Sequence, residues 1–205
     1  MTDLASGRYG AYDPFWRILG QPANATQSDV PVRSNAWVTG LSALSDSATQ
    51  ATKKGTLVAI PVQEGDAISK ITVLVGATAG KTGVKSFACL YSGTTEKTEA
   101  KLLGQSAEAT AELKASTAYT AELEKTVLIT SENAPHGYVF AGVVVEASTI
   151  ETLVSVKIPT ACQKVWFAGC PEALAVATTQ KEAGVAAATT KTETALELVP
   201  ITFLS

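Results

Sequence analysis

The sequence predicts an all-β protein, an antiparallel β-sandwich entered by an extended N-terminal arm. Three observations carry this. Apolar residues alternate with period two in about nine or ten short runs after residue 55. Clusters of Gly, Pro, Asn, Ser and Thr separate those runs at the spacing of sandwich strands, not of strand–helix units. The first fifty residues carry Pro14, Pro22 and Pro31 and show no such period.

The arm is assigned to residues 1–50 and the sandwich body to 51–205. Proline removes an N–H donor and crowds the preceding turn, so the arm supports no long helix. "DPFWRIL" allows one short helix, with Asp13 as N-cap and Pro14 at the first helical position. The stretch "RYGAYDPFWR" holds Tyr9, Tyr12, Phe15 and Trp16 together with Arg8 and Arg17. The remaining arginine, Arg33, follows shortly after. Tyr, Trp, Phe and Arg are enriched at interface hot spots, because they bury large areas at modest entropic cost. Arg8, Tyr9, Tyr12, Phe15, Trp16, Arg17 and Arg33 are therefore the candidate docking residues. The competing reading is an arm that folds back over the body's own core. "SNAWVTGLSAL" offers a first strand, with Trp37 and Val38 on opposite faces.

The body's runs follow in order. "GTLVAIPV" sets Leu57 and Ala59 against Val58, Ile60 and Val62. After a "QEGD" turn, "AISKITVLVG" puts Ile71, Val73 and Val75 on one face. "VKSFACLYSG" sets Phe87, Cys89 and Tyr91 opposite Ala88 and Leu90. "KLLGQSA", "KTVLIT", "GYVFAGVVVEA", "TLVSVKIP", "KVWFAG" and "LELVPITFLS" complete the series. Several runs are apolar on both faces, Tyr138 to Val145 above all. The outer strand of a lone sandwich should alternate apolar with polar. A neighbouring subunit could supply the second cover, so Tyr138, Phe140, Val144, Ile201 and Phe203 are candidate oligomer-interface residues. The alternative is that Ala and Gly dilute an outward face harmlessly. One segment competes with the all-β reading. "PEALAVATTQKEAG" has Pro171 at a helix start, an Ala-rich middle and Gly184 at a C′ position.

Composition narrows the function. A chain of 205 residues buries roughly 70% of its unfolded surface, so it needs no metal or disulfide for stability. Its charged fraction of 17% is low for a globular domain, which suggests surface covered by partners. A net charge of −3 argues against nucleic acid as the main ligand. No apolar run is long enough for a membrane-spanning helix, so no membrane insertion is expected. The single histidine, His136, sits in the turn-like "NAPHGY", and there is no G-x-S-x-G elbow to partner it. Cys89, Cys162 and Cys170 lack C-x-x-C spacing, so no zinc site is expected. "GATAGKTG" misses the P-loop spacing, because its first glycine, Gly76, is one residue too close to Gly80. It reads as a hairpin loop. No catalytic residue, metal or cofactor is expected, and the chain is not read as an enzyme.

The run from Thr56 to Leu113 resembles a jelly-roll-like β-sandwich module of bacteriophage capsid-fibre or decoration, minor tail and tail-fibre proteins. The module's elements occur in order: a strand entering Pro61, the Ile68 to Val75 strand, the Gly76 to Gly83 loop, the Phe87 to Tyr91 strand and the Leu102 to Ala107 strand. "GYVFAGVVVEAS" resembles its later strand, so the likeness spans about residues 55 to 158. These are packing motifs, not catalytic ones, and neither the arm nor residues 171–195 belongs to them. The resemblance implies a virion structural protein, assembled in the bacterial host's cytoplasm. It would be a capsid decoration or head-fibre type protein, a homotrimer docked to other virion proteins through its arm. The alternative it implies is a minor tail or tail-fibre protein whose sandwich binds a host-surface glycan. Tyr119, His136 and Trp166 would then be the candidate contacts.

Overall fold

The computed structural model describes residues 33–34, 44–49, 52–93, 99–135, 137–157, 175–181, 184–189 and 198–205. All regular structure among them is β. In chain order the strands are β1 (Arg33–Ser34), β2 (Leu44–Thr49), β3 (Lys54–Pro61), β4 (Ala67–Leu74), β5 (Lys85–Ser92), β6 (Ala100–Gln105) and β7 (Ala118–Leu128). They continue as β8 (Tyr138–Glu146), β9 (Thr152–Lys157), β10 (Ala175–Lys181), β11 (Gly184–Val185), β12 (Ala188–Thr189), β13 (Leu198–Pro200) and β14 (Thr202–Leu204). Every strand pairing is antiparallel.

Two sheets pack face to face. The larger has the order β11-β10-β3-β8-β5-β6-β12 and the smaller β1-β14-β4-β7. A third sheet, β13-β9-β2, adjoins the smaller one. The join is made by Ile201, between β13 and β14, whose N–H donates to Val154 O, and by a bridge from Val75 to Leu153. The period-two alternation explains the packing. In β3, Val58 and Ile60 point into the space between the sheets, as do Ala88 and Leu90 of β5 and Val139, Ala141, Val143 and Val145 of β8. Ile71 and Val73 of β4 meet them from the smaller sheet. The opposite-facing set, Leu57, Ala59, Phe87, Cys89, Tyr91, Tyr138, Phe140 and Val144, forms a second buried cluster on the far face of the larger sheet.

What covers that far face is the chain's own C-terminal part. β11 and β12 are the two edges of the seven-stranded sheet, yet only Ala186 and Ala187 separate them in sequence. Flat, the edges would lie six strand spacings apart, about 29 Å. The three peptide steps from Val185 to Ala188 span at most about 11 Å. The sheet must therefore curl until its edges nearly meet, and the second cluster is enclosed by the curl. Bonds across the seam hold it. The Tyr91 hydroxyl donates to Ala186 O, so Thr178 Oγ1, 2.8 Å away, donates to Tyr91. Leu102 N–H donates to Ala187 O at 2.8 Å and Val185 N–H to Gln105 Oε1 at 3.2 Å.

Three expectations change. Residues 175–181 of the segment read as a short helix are a strand, β10, paired along the edge of β3 from Lys54 to Val58. Alanine's helix preference is worth a few tenths of a kcal/mol per residue, and antiparallel pairing along the edge that β3 offers outweighs it. The "GATAGKTG" segment is not a hairpin loop, because β4 and β5 lie in different sheets. It crosses between the layers and is clasped to the start of β9 through Gly76 N–H to Thr152 O and Thr152 N–H to Thr78 O. Finally, β8 needs no neighbouring subunit to bury both its faces, since the smaller sheet covers one and the curl covers the other. "DPFWRIL", Trp37 and "KVWFAG" lie outside the described residues.

Candidate functional site

Of the candidate docking residues, Arg8, Tyr9, Tyr12, Phe15, Trp16 and Arg17 lie outside the described residues. Arg33 belongs inside the body. Its guanidinium grips Asp66 with Nε to Oδ2 at 2.8 Å and Nη2 to Oδ1 at 2.9 Å, and Nη2 also reaches Gln63 Oε1 at 3.2 Å. Arg33 is 9% exposed and Asp66 6%. The planar fork suits bidentate carboxylate binding and leaves little of this arginine for a partner. Asp66 has a second task, accepting the Gln63 N–H at 2.9 Å and so fixing the β3–β4 turn. Arg33 thus pins the point where the N-terminal segment enters the sandwich, with β1 paired to β14.

The candidate oligomer residues are also internal. Tyr138, Phe140, Val144 and Ile201 are buried within the chain and Phe203 is half-buried. Tyr138 and Phe140 pack edge to face with ring centroids 5.3 Å apart. Among the described residues, Leu128 is the one large apolar side chain that is exposed. Of the candidate glycan contacts, His136 and Trp166 lie outside the described residues. Tyr119 is half-buried, with its hydroxyl 2.9 Å from Ser86 Oγ.

Tyr119 lies within the electrostatic reach of a buried carboxyl group, Glu151, that sequence inspection missed. Glu151, just before β9, is 1% exposed, and its Oε2 has no hydrogen-bond partner. A Cβ added to Gly80 would stand 3.0 Å from that oxygen, so glycine at this position lets the Glu151 carboxyl approach the crossing segment closely. Burial holds the Glu151 carboxyl above its usual range, opposed by a bond from its own backbone N–H. Burial likewise raises the Tyr119 hydroxyl, with the Ser86 bond pulling the other way and Glu151 adding to the rise. The Cys89 thiol, enclosed in the curl, is raised by desolvation alone. None of these groups forms a nucleophile–base pair. Among the described residues, no group of three or more His, Cys, Asp or Glu side chains could hold a metal ion.

A polar groove lies at one end of the curled sheet. Lys85 opens β5 and faces Glu146 at the close of β8, while Gln180 and Lys181 close β10. Lys53, just before β3, joins them through its N–H to Val145 O and its O to Gln180 N–H. Together the five side chains line a groove of about 510 Å³. Glu146 is fully engaged, with Oε1 2.8 Å from Lys53 Nζ and Oε2 accepting from Gln180 Nε2 at 3.2 Å. Gln180 Oε1 is buried and unpartnered. Nothing in the local sequence marks this site, because Lys53 and Gln180 are 127 positions apart and meet only through sheet pairing. No family model matches the chain, and no curated protein matches it either.

Proposed function

We propose that this chain is a structural protein of a bacteriophage virion, of the capsid-decoration or head-fibre type, docked through its N-terminal segment. One observation carries the reading. The packing motifs that resemble the phage module fall, in order, on consecutive strands of the sandwich: Pro61 ends β3, Ile68 to Leu74 lie in β4, Phe87 to Tyr91 in β5 and Leu102 to Gln105 in β6. Among these motif residues, Ile68, Ile71, Val73 and Val75 and the Phe87 to Tyr91 stretch lie in the two cores. What they specify is a scaffold. Trimeric assembly and a virion location come from the resemblance, and the aromatic and arginine content of residues 8–17 supports docking through that stretch.

The test is a deletion ending at residue 32. Arg33 must stay, because its loss would leave Asp66 buried without its cation. The shortened chain should fold and melt cooperatively but fail to enter particles that the full chain enters. Normal occupancy of particles by the shortened chain would refute docking through this segment.

A further inference from the structure

We infer that the groove lined by Lys53, Lys85, Glu146, Gln180 and Lys181 binds a hydroxyl-bearing oxyanion of sugar size, a sugar carboxylate or sugar phosphate. The charge balance asks for an anion. Three ammonium groups share the groove with one carboxylate, and both oxygens of that carboxylate are already engaged. Among the described residues neither Lys85 nor Lys181 is in an ion pair. This is a local excess of positive charge on a chain whose net charge is −3.

The amide of Gln180 asks for a hydroxyl. Its orientation is fixed, because only Nε2 can donate to the Glu146 carboxylate, which leaves Oε1 as the free acceptor. An acceptor buried without a partner is costly. A bare sulfate has no hydrogen to give it, but a sugar hydroxyl has. Lysine stems are long and flexible. An anion held between Lys85 and Lys181 sits beside Gln180 in the same groove, and a hydroxyl on that ligand is the hydrogen that Oε1 lacks. The volume is in the range of small-molecule sites. The five lining residues are charged or amide-bearing, and their methylene stems give the groove apolar surface as well, which suits the mixed faces of a sugar ring.

Titration of the full chain with glucuronate, glucose 6-phosphate, glucose and sulfate, followed by amide NMR shifts, tests this. Saturable shifts are expected with glucuronate or glucose 6-phosphate, and the tighter of the two names the anion. Lys85→Met/Lys181→Met should weaken both by about tenfold or more. Gln180→Met should weaken both while leaving sulfate unchanged. Melting curves of the variants confirm that they fold. Glucose binding as well as the two anions would overturn the assignment, as would unchanged affinity in the variants or no shift with any probe. Sulfate matching both sugars would also overturn it, as an adventitious ion only.

Discussion

Replacing Val144 by Glu should unfold the body rather than dissociate an assembly. Val144 has no exposed surface and lies in the enclosed cluster with Leu57, Phe87, Phe140 and Val185. Its Cγ2 occupies space that only a glycine opposite permits, since a Cβ on Gly55 would come within 2.6 Å of it. Val144→Ala removes two carbons worth about 0.8 kcal/mol each in transfer. The cavity left behind raises the loss to about 2–3 kcal/mol. Val144→Glu is harsher, because an unpaired carboxylate in an apolar enclosure costs several kcal/mol, on the order of a whole domain's stability. Urea unfolding followed by circular dichroism reads both. The Ala variant should show a lower midpoint with an unchanged slope, and the Glu variant no cooperative transition. Leu128→Glu, at a side chain 59% exposed, is the control and should stay within about 0.5 kcal/mol of the parent. A Val144→Glu protein that keeps its midpoint but loses mass in light scattering would refute the enclosure and restore an intersubunit seam.

Two further outcomes follow from the buried ionisable groups. Arg33→Met should cost about 3–5 kcal/mol, because it strands Asp66 in the interior. Arg33→Met/Asp66→Leu should recover part of the loss, since the Gln63 N–H then lacks its Asp66 acceptor; equal urea midpoints for Arg33→Met and the parent would contradict this. Glu151 sets a pH dependence, since its folded-state proton is held above the pH at which the unfolded chain releases it. Its contribution is fully present below the unfolded carboxylate value of about 4.3 and is lost as pH rises through the raised folded value. Glu151→Gln should therefore flatten the fall in stability between acid and neutral pH, as read by melting temperature, and parallel profiles for the two proteins would count against it.

The strands were legible wherever burial is two-sided or strictly alternating. The faces read from "GTLVAIPV" and "VKSFACLYSG" are the faces that enter the two cores, residue for residue. The β7 strand was only half visible, because of its residues only Ala121 and Leu123 are buried and its outward Glu and Thr look like a loop. The "LELVPITFLS" run divides at Ile201 to serve two sheets, a split that no local pattern announces. The Ala175–Lys181 strand was masked by alanine, whose local preference opposes the pairing that β3 offers. Sheet closure was out of reach for the same reason, and with it the fact that the chain covers β8 on both sides. Arg33 looked like interface chemistry because its partner, Asp66, lies 33 positions away. The groove depends on contacts between strand ends, which alternation within a strand does not encode.

Imaging of intact phage particles tests the functional account most directly, with an antibody raised against the folded body marking its position. The account predicts regularly placed label on the particle surface, lost when residues 1–32 are deleted while the body remains folded. Particles that carry no label, with the protein found only free in the lysate, would contradict it.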